Sequence, residues 1–77
     1  MTMLLDDMNI NNEAKVVAIT EPALRTHLLK MGVHEGMIIE VLQRVAKGPM
    51  LLRAGSQEIA IGNAHLRKIE VELSGLS

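Results

Sequence analysis

The chain has 77 residues, eight basic and nine acidic side chains, no cysteine and no Phe, Tyr or Trp. That length holds one compact core, which a cavity able to enclose an organic cofactor would consume, so no cofactor is firmly implied. Without cysteine there is no disulfide, thiolate metal centre or cysteine nucleophile, and without aromatics or a basic balance the chain has no footprint for nucleic acid.

The amino-terminal "MTMLLDDMNINNE" lacks a basic segment followed by a long apolar core. No run approaches the roughly 18 to 20 apolar residues of a spanning helix, so the expectation is a cytoplasmic protein that is not itself membrane-spanning. The chain begins extended, with Leu4, Leu5, Met8 and Ile10 available to tie it to the body, and either Asn11 or Asn12 suits a left-handed turn. "KVVAI" at 15–19 reads as a strand from its β-branched content, and apolar residues on both faces predict burial near the centre of the fold.

At "TEPALRTHLLKMG" the period changes. Thr20 as cap with Pro22 in the first turn, or Glu21 as a poorer cap with Pro22 leading, are equally compatible starts for a helix. Leu24, Leu28 and Met31 recur at helical spacing and line one face, Lys30 suits the last turn, and Gly32 is the expected terminator. The following "VHEG" predicts a tight connection with a positive backbone angle at Gly36.

"MIIEVLQRV" then alternates, with Met37, Ile39 and Val41 on one side and Ile38, Glu40, Leu42 and Arg44 on the other. "AKGP" turns the chain into a strand "MLLRA", "GS" into a strand "QEIAI", and "GNAHLRK" makes a helical turn before the strand "IEVEL", with Ile69 and Val71 inward. The expected fold is mainly β: a small barrel of about five short strands with one inserted α-helix and a short helical turn before the last strand. Closure is expected because it hides the edges of such short strands. The whole of 1–77 is read as one domain, with the barrel over about 4–72 and a flexible tail at 73–77.

Chemistry is sparse. His27 borders the helical stripe, His34 lies between two glycines, and His34, Glu35 and His27 are the candidate ligands for a weak divalent ion such as Fe(II) or Zn(II). The Glu-Gly that follows His34 does not make the two-histidine helical metal motif, and the scattered hydroxyls and glycines identify neither a nucleophile nor a phosphate cradle, so no enzyme is expected. Leu29 points away from the Leu24–Leu28–Met31 line. With Arg25 and Lys30 beside it, it offers a contact surface for a partner protein or for a second copy in a homo-oligomer.

Leu24, Arg25, Leu28, Met31, Gly32, Val33, Gly36, Ile39 and Val41 together form a spaced pattern, continued by "GPMLLRAGSQEIAI" and "LRKIEVE". In this pattern the chain resembles the FeoA family, small cytosolic accessory proteins of bacterial ferrous iron transport. It departs from the family at Asn12, where glycine is common, at Glu35, where proline is common, and at His27, where a basic or polar residue is more usual. The resemblance implies an SH3-like barrel with an inserted helix. It also implies docking to the cytosolic part of a FeoB-type membrane iron permease, with recruitment to the inner face of the membrane and no reaction performed. Similar domains end metal-dependent repressors, which leaves a second expectation: a metal-responsive regulatory domain that changes oligomeric state on binding a divalent transition metal.

Overall fold

A computed structural model describes residues 2–73. Six strands, one α-helix and two 3-10 turns follow in the order β1 (Thr2–Leu4), a turn at Leu5–Asp7, β2 (Glu13–Ile19), α1 (Pro22–Lys30), β3 (Ile38–Arg44), β4 (Met50–Ala54), β5 (Gln57–Ile61), a turn at Asn63–Lys68 and β6 (Ile69–Leu73). All strand pairings are antiparallel, and the sheet runs β1-β6-β2-β3-β4-β5.

This order corrects the expected barrel. Among the described residues β5 and β1 end the sheet and share no ladder, so it remains open. The edge argument that favoured closure is met differently: β1, only three residues long, covers the outer edge of β6, while the end of β5 borders a cleft shared with α1. The strand count rises from five to six because β1 carries too few residues to show a period, and pairs Met3 with Val71 from the far end of the chain. β6 includes Leu73, one residue past the expected boundary, and the rest of the expected tail lies outside the described residues.

The core is built without aromatics. Leu5, Met8, Ile19, Leu28, Met50, Leu52 and Leu66 are among its largest fully buried side chains, and among the described residues no polar or charged one is buried with them. Ile39 and Val41 face inward and Met37 packs partly against the core, as their alternation predicts. The centre of β2 departs from expectation. Val17 is exposed at 38 % because alternation from buried Ala14 and Val16 turns it outward, and the ladder with β6 then skips from Val16 to Ala18, a bulge that returns Ile19 to the core.

Two connections hold the sheet's register. Asn11 takes the left-handed conformation (φ 73°), its N–H donates to the Val41 carbonyl at 2.7 Å, and the Asn12 side chain accepts the Asn9 N–H at 2.9 Å. Asn12 thus closes this turn through its side chain. At the other connection, the Gly36 N–H donates to the Val16 carbonyl at 2.7 Å, with Gly36 at φ 91°.

Candidate docking site

α1 begins at Pro22, with Glu21 in the cap position and no side-chain cap bond. Thr20 is withdrawn from capping because its hydroxyl donates to the Lys68 carbonyl at 3.0 Å, joining the end of β2 to the chain just before β6. At the other end Gly32 is left-handed (φ 86°), its N–H donates to Leu29 at 3.0 Å, and the Val33 N–H donates to Leu28 at 2.9 Å. These paired bonds are a Schellman termination, with buried Leu28 and Val33 at its apolar positions.

Leu24 and Leu28 anchor α1 in the core and Met31 packs partly against it. The opposite side presents Leu29, exposed at 59 %, together with exposed Lys30. Arg25 is also exposed, yet it is tied down: its Nη2 donates to the Ile19 carbonyl at 3.3 Å and its Nε lies 3.8 Å from Glu35 Oε2. The same Glu35 oxygen accepts the Ile19 N–H at 3.0 Å. One acid and one base therefore fasten the β2 end, the helix and the turn before β3.

The candidate metal residues separate. His34 is exposed, and its Nδ1–H donates to the Glu35 carbonyl at 2.9 Å, leaving Nε2 as the nitrogen for a ligand. His27 instead lines a cleft of about 270 Å³ with Leu24, Leu28, Met31, Ile61 and His65. Among the described residues no group of three or more His, Asp or Glu side chains is placed to hold a metal ion.

Sequence reasoning missed two arrangements. The Glu35 clamp joins three segments through tertiary contacts, which the local sequence around Glu35 does not announce. The His27–His65 cleft joins α1 to the turn before β6, and nothing in the spacing of those histidines announces it.

Three further ion pairs, on two carboxylates, secure the surroundings. Asp6 is bound by Arg44, with Arg67 Nε at 3.5 Å from its other oxygen, and Lys68 binds Glu21. The hydrogen bond from Arg44 holds the Asp6 carboxyl below its ordinary range, and that from Lys68 does the same for Glu21, each outweighing partial desolvation.

The family model of the FeoA domain matches residues 3–73. The chain belongs to the FeoA family. Its role is accordingly an accessory, non-catalytic one in ferrous iron uptake.

A crystal structure of an iron uptake regulatory protein (FeoA) is 28 % identical, with 96 % of this chain and 99 % of that one covered and a TM-score of 0.86. A zinc complex of FeoA from Stenotrophomonas maltophilia is 18 % identical over 91 % of this chain and 89 % of that one, at a TM-score of 0.78, and supports the fold. So does a manganese-dependent transcriptional repressor, 16 % identical over 95 % of this chain and 42 % of its own, at a TM-score of 0.83. A search of the curated proteins gives no match. Among the described residues no helix is long and apolar enough to cross a membrane.

Proposed function

We propose that this FeoA-family protein works by docking, from the cytosol, onto the cytosolic part of a FeoB-type iron permease. The observation that carries the reading is the outward side of α1, where Leu29 stands 59 % exposed beside Lys30 on a helix fixed from behind by Leu24 and Leu28. A rigid helix that presents an apolar side chain next to a cation binds without first being ordered, which lowers the entropy lost on association. Arg25 supports the same surface from its clamp with Glu35. The test is retention of the purified protein by the full permease in detergent or nanodiscs. Leu29→Asp and Lys30→Glu, both solvent-facing changes, should weaken retention while leaving the thermal melt unchanged.

A second reading rests on His34, whose ring is oriented by the Glu35 carbonyl so that Nε2 is available to a divalent ion. Glu35 and His27 would have to leave their present neighbours to join it, so the remaining ligands would come from a second copy, and Fe(II) or Zn(II) would act by driving association. Sedimentation of wild type and His34→Ala with and without the ion tests this. A metal-dependent mass increase that the variant loses supports it, and an unchanged mass removes it.

A further inference from the structure

The cleft between α1 and the β5 end has an apolar floor and a nitrogen-rich rim. Leu24, Leu28 and Ile61 are buried beneath it, and Met31, whose flexible thioether adapts to what it meets, stands at its side. His27 and His65 also line it, and Lys30 lies one helical turn along from His27. Among the described residues no carboxylate lines the cleft. Glu21 is already held by Lys68, and Glu35 is held by Arg25 and the Ile19 N–H. At about 270 Å³ the cleft falls below the roughly 300–1,000 Å³ of pockets that enclose a drug-sized ligand, and suits an aliphatic side chain.

We infer that this cleft receives an aliphatic side chain from an acidic segment of the docking partner, with carboxylates beside that side chain meeting the His27 and His65 N–H groups and the Lys30 ammonium. The inference rests on the docking reading above and names the chemistry of the segment that docks. Imidazole N–H groups donate to a carboxylate in either charge state, and the Lys30 ammonium one turn from His27 favours acidic neighbours and opposes basic ones.

The test has two arms. In the first, isotope-labelled full-length protein is titrated with two short probe peptides, one with a central leucine flanked by aspartates and one with the same leucine flanked by lysines. The aspartate peptide should shift the amides of α1 and of residues 60–65 saturably, the lysine peptide should not, and His27→Glu/His65→Glu should weaken the aspartate peptide by about tenfold or more. A control of equal charge at the far end of β3, Gln43→Glu/Ala46→Glu, should leave binding within about twofold. No saturable shift, shifts elsewhere, or equal binding of both peptides overturns the inference. So does concentration-dependent shifting of the cleft residues without peptide, which makes a second copy the occupant.

In the second arm the same double variants are offered to the full permease. Failure of wild type to be retained defeats the docking reading itself. Retention of wild type and of His27→Glu/His65→Glu alike defeats only the cleft inference, and selective loss in that variant supports it.

Discussion

Arg25 and Glu35 grip both backbone polar groups of Ile19: the carboxylate accepts the N–H at 3.0 Å and the guanidinium donates to the carbonyl at 3.3 Å. Ile19 is the last residue of β2 and α1 opens three residues later, so the pair sets the angle at which the helix leaves the sheet.

Glu35→Ala leaves the Ile19 N–H without its acceptor and should destabilise the fold by about 1 kcal/mol, the range for a part-buried hydrogen bond, or a Tm lower by about 4–8 °C in a domain of this size. Glu35→Gln keeps an acceptor oxygen and should lose less than half as much. Thermal melts of the two variants check the order. Equal losses would show that the charge pair, and not the hydrogen bond to Ile19, supplies the effect.

Acid should loosen the fold at two places. Asp6, hydrogen-bonded first by Arg44, and Glu21, hydrogen-bonded by Lys68, both ionise below their ordinary values of 3.8 and 4.5. A carboxylate with a lowered folded-state pKa stabilises fully above its unfolded value, and that contribution disappears as pH falls from there through the folded value. Tm should therefore decline below about pH 4.5. Asp6→Asn/Glu21→Gln should be less stable than wild type at neutral pH and show a flatter decline in acid. A parallel pH profile would deny these two groups that role.

The two left-handed glycines predict different responses to alanine. A Cβ on Gly32 (φ 86°) would meet Gln57 Nε2 at 2.9 Å, whereas one on Gly36 (φ 91°) meets nothing within 4 Å. Both changes carry the backbone strain of a positive φ, about 1 kcal/mol. Gln57→Ala should recover stability in Gly32→Ala and leave Gly36→Ala unaffected, read by urea denaturation. Equal recovery in both would mean that Gln57 acts through something other than this contact.

Leu28→Ala should separate helix attachment from general core loss. Leu28 is 2 % exposed, and its truncation should cost about 2–5 kcal/mol by burial and cavity formation. That is a large share of the stability of a domain this small. Amide exchange should show α1 opening before β3 and β4. Simultaneous opening of all elements would place Leu28 in one indivisible unit with the sheet.

α1 was legible because its anchors Leu24, Leu28 and Met31 lie close in sequence, and Pro22 and Gly32 fix its ends by local backbone chemistry. The inward side of β3 was legible for the same reason, since alternation is a property of neighbours. β1 was not, because three residues show no period and their pairing with β6 is decided across the whole chain. The open sheet escaped too: an edge can be covered by a neighbouring helix as well as by another strand, and composition does not say which. Val17 faces outward by alternation from Val16, and the bulge that follows turns Ile19 inward, so apolar residues on both faces of β2 did not mean burial on both. For the site, exposed Leu29 could be read from the helical period. The engagement of Glu35 and the meeting of His27 with His65 depend on where separate segments land.

Docking is the central claim, and retention of the full-length protein by a FeoB-type permease measures it most directly. Wild type should be retained, and Leu29→Asp/Lys30→Glu, folded by its thermal melt, should be retained at least about tenfold more weakly. No retention of wild type by the full permease, or equal retention of wild type and the folded variant, would contradict docking through the outward side of α1.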